Sequence, residues 1–301
     1  MKNIRLLFFI IALLSFTSCE KVSLEELLGN ENKEETDKGN DTQGDAAITV
    51  NVKGFDRIAY NEQQNEDDNV SLRDVCSRVS VALYRNGERI YYKNQKATDE
   101  EFGKIQIAAT EGEYTLLVLG YSNTETATTT DLQKITFGGK VTDTFHYCRN
   151  IEIASGENNI DVVLKRIVGM FRLVIEDNIP NNAAQLKFYY TGGSSTLDGQ
   201  SACGCVNSRQ TEYREMTQDL KTFDIYTFPH AEAQPLNIKV TALDANGNAI
   251  CEKQFANVTV KQNYMTVFSG TFFNGAGTSS KEITGNIKVD TTWDGSIEDR
   301  Y

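Results

Sequence analysis

Residues 79–92 read VSVALYRNGERIYY, and they set the fold class. Val79, Val81 and Leu83 alternate with other side chains at the period of two that places one face of a strand in a core. Asn86-Gly87 then interrupts the pattern. Both residues tolerate positive φ, which a two-residue hairpin turn requires, so the stretch predicts two antiparallel strands joined by a tight turn.

The same period continues outward in both directions. Ile48, Val50 and Val52 alternate with polar partners, as do Ile105 and Ile107. The run 114–121 is apolar at successive positions, which fits a central strand covered on both faces. Further on, Ile160, Val162 and Leu164 end one strand, and Phe171, Leu173 and Ile175 begin another almost at once. Asn246-Gly247 predicts a second hairpin, joining Leu236, Ile238, Val240 and Ala242 to the strand through Ala249, Cys251 and Lys253. Long helical periods are missing and the chain has 3 prolines, so the predicted class is all-β with antiparallel connections. Two tandem β-sandwich domains, 46–165 and 166–301, suit a chain longer than one core usually spans. The polar stretch 191–218 predicts a long surface loop with a short helix near 211–220.

The N-terminus carries Lys2 and Arg5 ahead of an apolar run from Leu6 to Phe16. That run is too short to span a bilayer and matches a signal peptide, residues 1–18. Thr17, Ser18 and Cys19 supply the small side chains and free thiol of a lipoprotein cleavage site, so Cys19 is the expected lipidation residue. Residues 19–45 are rich in Glu, Asp, Asn, Lys and Gly. They bury too little apolar surface to offset chain entropy and read as a flexible tether, with Ser23 and Glu26 at capping-box spacing.

A net charge of −12 argues against a nucleic-acid partner, which needs clustered Lys and Arg. Five cysteines remain beyond Cys19, an odd count that forbids complete pairing within one chain. A bridge from Cys251 to Cys203 or Cys205 stands against buried thiols that act as small hydrophobes. The two histidines, His146 and His230, lack the flanking signature of a catalytic triad and read as surface residues. Cys203-Gly204-Cys205 lacks a second ligand pair for zinc. The segment 244–248 begins like a calcium loop, but Ala249 and Phe255 occupy the positions that need Gly and Glu. Gly275-Ala276-Gly277 lacks the rest of a dinucleotide fingerprint. No catalytic residue, metal or cofactor is therefore expected.

Five stretches together resemble the fimbrillin superfamily of Bacteroidales, most closely the anchor-type lipoprotein subunits of its major and minor fimbriae. They are VSVALYRNGERIYY, FGKIQIAATEGEYTLLVLGYS, NNIDVVLKRIVGMFRLVIEDNIP, VKQNYMTVFSGTFF and GNIKVDTTWDG. The resemblance implies two transthyretin-like, Greek-key sandwiches displayed outside the outer membrane on a lipid anchor, with other fimbrial subunits as partners and a host or bacterial surface as ligand. It also implies assembly by strand addition, in which an Arg-specific protease removes the first strand and a partner's strand fills the groove. Arg57 follows the predicted first strand at Ile48, Val50 and Val52, and is either that processing site or an ordinary exposed arginine. Ile287 and Val289 alternate correctly for a last strand that packs at home or is donated. The competing reading is a carbohydrate-binding outer-membrane lipoprotein of a glycan uptake system, with Trp293 and the Tyr189-Tyr190 pair as its candidate aromatics.

Overall fold

The computed structural model describes residues 44–56, 71–274, 293 and 295–301. Cys19, Arg57, Ile287, Val289, the signal peptide and nearly all of the tether lie outside the described residues, as does the segment 275–277.

The hairpin forms as its sequence dictates. Strands β2 (Arg78–Arg85) and β3 (Glu88–Lys96) meet at Asn86 and Gly87, whose φ values are 53° and 81°. Strand β5 (Gly112–Tyr121) lies between β2 and β8 (Thr144–Ile153), antiparallel to both. That central place explains its unbroken apolar run. Leu116 and Val118 face one hydrophobic cluster, and Leu117, Leu119 and Tyr121 face another.

Strands β1 (Ala46–Phe55), β4 (Lys104–Ala109) and β9 (Gly156–Arg166) complete a seven-stranded sheet of order β3-β2-β5-β8-β9-β1-β4. The pairing of β8 with β9 is confined to Phe145↔Arg166 and His146↔Lys165. The sheet folds back across this narrow seam. Ile48, Val50, Ile105, Ile107, Val162 and Leu164 of one limb thereby bury against Val79, Val81, Leu83, Leu116 and Val118 of the other. A short β6 (Ala127–Thr128) and β7 (Thr136–Phe137) pair within the β5–β8 connection.

Most of the remaining described residues form two facing four-stranded sheets. One has the order β15-β10-β18-β19, from β10 (Gly169–Ile175), β15 (Thr222–Thr227), β18 (Tyr264–Gly270) and β19 (Gly295–Arg300). The other has the order β14-β11-β16-β17, from β11 (Ala183–Gly193), β14 (Ser208–Glu215), β16 (Leu236–Asp244) and β17 (Ala249–Val258). Phe171, Leu173 and Ile175 pack against Leu186, Phe188, Ile238, Val240 and Phe255 between them. The fold is all-β, in packed sheet layers. A third cluster joins the outer face of β2 and β5, through Tyr84, Leu117 and Tyr121, to Met170, Met265, Val267 and Trp293. Ile167 and Val168, which link β9 to β10, are buried in it.

Three expectations are corrected. Residues 191–218 are neither a surface loop nor helical at 211–220. They hold β12 (Leu197–Asp198), β13 (Cys203–Gly204) and the whole of β11's partner β14. The strand escaped notice because the inward position of β14 is Glu212, a fully buried carboxylate. It is tolerated there because Tyr190 donates its hydroxyl to Oε1 at 2.5 Å and Arg214 pairs with Oε2 at 2.6 Å. The 246–247 hairpin exists, but only Gly247 has positive φ, 82°. Asp244 supplies the remaining turn energy: its Oδ1 accepts from the Asn246 and Asn248 amides, both at 2.8 Å. That carboxylate is occupied by the turn itself. Finally, His146 is not on the surface. It is 8% exposed, and its Nε2 lies 2.6 Å from the carbonyl oxygen of Gly199.

Candidate functional site

The first strand is the element whose placement has no local cause. β1 runs antiparallel to β4, from Ala46↔Ala109 to Asn51↔Lys104, and parallel to β9, from Ala46↔Gly156 to Phe55↔Leu164. It therefore fills a slot between two strands from elsewhere in the chain. Ala46, Ile48 and Val50 point inward and are buried, whereas Ala47, Thr49 and Asn51 point outward. Val52 is half-buried at the inward edge, just before the irregularity at Gly54, whose φ is 152°. Ile48, Val50 and Val52 thus share the inward face of one strand.

Both ends of the slot are pinned. At the entrance, Gly156 donates its amide to Asp45 at 3.0 Å, and Gly44 passes so close to Ala109 that a side chain there would overlap its carbonyl. At the exit, the Asp56 amide donates to Leu164 at 2.7 Å, and its carboxylate meets Lys165 at 3.1 Å. Asn51 and Lys53 reach the Asp161 carboxylate from the outer face, both at 3.3 Å. Asp56 is the residue before Arg57.

A described strand also lies near the C-terminus, beyond Ile287 and Val289, which are outside the described residues. β19 spans Gly295–Arg300 and adds parallel to β18 at a sheet edge. Its anchor is the final residue: the Tyr301 ring packs edge-on against Phe255 at 5.0 Å, and its hydroxyl donates to Val174.

Arg166 ties the slot's neighbour β9 to the second group of sheets. It holds Asp143 with Nε and an Nη at 2.7 and 2.8 Å, donates to Asn263, and lies 4.9 Å from the Phe145 ring centroid and 4.2 Å from that of Trp293. Trp293 is buried by this stack and by Tyr226, so it is not presented to a ligand. Tyr190 is buried as well. Tyr189 alone of that pair is exposed, at 37%.

The remaining chemistry is dispersed. All five described cysteines are free thiols, so the bridge from Cys251 is not formed. Burial holds the Cys76 thiol far above its usual range and pushes Cys148 and Cys251 up to about 11. Neither histidine hydrogen-bonds a hydroxyl, thiol or carboxylate among the described residues; the His230 Nε2 is buried without a partner. No cluster of three metal-ligating side chains occurs among the described residues, and no described helix is long and apolar enough to cross a membrane.

A family model described as "Family of unknown function (DUF6562)" matches residues 38–300. No curated protein matches the chain. Among solved structures, the fimbrial anchor protein Mfa2 from Porphyromonas gingivalis aligns with 13% identity over 69% of this chain and 81% of its own, at a TM-score of 0.42. A fimbrilin from the same organism aligns with 11% identity over 77% and 86%, at 0.38. A fimbrial assembly protein from Parabacteroides distasonis aligns with 13% identity over 75% and 89%, at 0.36.

Proposed function

The chain belongs to the DUF6562 family of unknown function, and from that premise we propose that it is a surface-exposed fimbrial subunit of anchor type. In this reading residues 1–18 are removed and Cys19 is lipidated, so that a flexible tether holds two sandwiches, 46–165 and 166–301, outside the outer membrane. The protein then takes part in fimbria assembly and cell adhesion by pairing strands with other subunits, without catalysis.

The observation that carries the proposal is the first strand in its slot. A segment near the tether completes a sheet between β9 and β4, with alternate apolar residues on one face. A strand held by backbone ladders on both sides and by inward side chains is the geometry that strand addition uses, since any chain of like alternation can make the same bonds. Arg57 follows directly on the last residue pinned to β9, so proteolysis there would release the whole strand. A subunit left uncut keeps its own strand and its lipid, as a base or anchor must.

The test is mass spectrometry of the protein purified from its native membrane. An acylated Cys19 on a chain intact through Arg57 is the expected result. A chain that begins at Ile58 without lipid would make it a polymerising stalk subunit, and an unacylated full-length chain would sink the anchor assignment.

A further inference from the structure

Independently of the first-strand slot, the outer face of the β14-β11-β16-β17 sheet presents a surface that is open among the described residues. Alternation places Lys187, Tyr189 and Thr191 of β11 outward, beside Arg209, Thr211 and Tyr213 of β14 and Lys239 of β16. The register sets Tyr213 opposite Lys187 and Tyr189 opposite Thr211, so the two tyrosines stand on a cross-strand diagonal, about 7–8 Å apart. They are 37% and 49% exposed, and are the two aromatics among the exposed large hydrophobic residues described. Single exposed tyrosines are ordinary in strands. Two side by side, with polar neighbours on every side, form a platform.

The charges on this face single out its occupant. Lys239 is neutralised by Glu252 at 3.2 Å. Lys187, which flanks Tyr213, and Arg209, two positions along β14 from Thr211, have no acidic partner among the described residues. Glu215 stands at one end, next along the face from Tyr213. The tyrosines are therefore bordered by two cations without an ion pair among the described residues, in a chain whose net charge is −12. A flat sheet face suits an extended chain rather than a small molecule, which needs a concave site. Tyrosine rings stack on the C–H faces of pyranose rings, Thr191 and Thr211 offer hydrogen bonds to hydroxyls, and Lys187 and Arg209 pair with carboxylate or sulfate groups.

We propose that this face binds an acidic polysaccharide, through sugar rings stacked on Tyr189 and Tyr213 and anionic groups held by Lys187 and Arg209. The experiment is native affinity electrophoresis of the full mature chain in gels containing polygalacturonate, chondroitin sulfate or neutral dextran. Retardation is expected in at least one acidic gel and not in dextran. Tyr189→Ala/Tyr213→Ala should abolish it. Lys187→Ala/Arg209→Ala should weaken it at least severalfold and remove its salt dependence. All four positions are exposed or half-exposed, so an unchanged melting temperature identifies variants that remain folded. Equal mobility in all three gels would overturn the proposal. Equal retardation in dextran, retardation that survives the double tyrosine variant, or a dimer dissociated by that variant would also overturn it.

Discussion

Replacing Ile48 by Ala should destabilise the protein far more than replacing its neighbour Thr49, because the first strand is specified by which face each residue presents. Ile48 is fully buried, between Ile107 on β4 and Asn158 on β9. Truncation to Ala removes three carbons, worth about 0.8 kcal/mol each in lost transfer energy. The unfilled space between the two limbs raises the loss into the range of about 2–5 kcal/mol. Thr49 points outward, and its truncation should stay within about 0.5 kcal/mol. In a chain of this size each kcal/mol moves the melting temperature by about 2–4 °C. A loss of about 3 kcal/mol therefore lowers it by about 6–12 °C, against about 2 °C or less for Thr49→Ala. Differential scanning calorimetry of both variants and wild type decides the matter. A one-residue slip of β1 exchanges its two faces, so an equal or larger loss for Thr49→Ala would refute the slot as described.

Arg166→Ala should cost about 3–5 kcal/mol, since it strands the Asp143 carboxylate at a largely buried site; Arg166→Lys should recover part of that in urea unfolding, as it restores the charge without the bidentate grip. His146 should make stability pH-dependent. Burial lowers its pKa below 6.5, so the unfolded chain takes up a proton first, and the His146 contribution is complete above about pH 6.5 and declines as the pH falls below it. Unfolding measured from pH 7.5 to 5 should show that slope, reduced in His146→Gln; an identical slope in the variant would dismiss the imidazole as its source. Iodoacetamide applied to the native protein should alkylate exposed Cys205 well before buried Cys76, and peptide mapping that finds Cys76 labelled as fast would contradict its burial.

The hairpin and the central strand were legible because their causes are local. Asn86 and Gly87 carry the turn in their own φ preferences, and residues 114–121 are apolar on both sides because both sides are covered. Strand β14 was hidden because one buried carboxylate replaces the apolar residue that its alternation requires, and only the approach of Tyr190 and Arg214 makes Glu212 acceptable there. Strand β19 was not legible for a related reason. A sheet edge asks little of its side chains, so the sequence GSIEDR carries no apolar alternation, and Tyr301 fastens it. The burial of His146 has no local sequence signal, because the carbonyl of Gly199 that receives its imidazole lies 53 positions away.

The slot itself could not be read from alternation, because Ile48 and Val50 would suit several neighbours equally well. The Asn51 to Asp161 hydrogen bond joins residues 110 positions apart, and a parallel pair needs a crossover that no turn residue announces. The topology nonetheless limits what the slot can do. In the strand order β4 borders β1 alone, so removal of β1 would unpair β4 along its whole length as well as exposing Ile105, Ile107 and Val162. An emptied slot is therefore not a small vacancy in a stable sheet. It is a three-stranded limb reduced to β9, and it must be refilled at once by a strand with small or branched apolar residues at alternate positions. In the proposed function, retention of β1 and its replacement by a partner's strand are the two alternatives, and cleavage after Arg57 would convert one into the other.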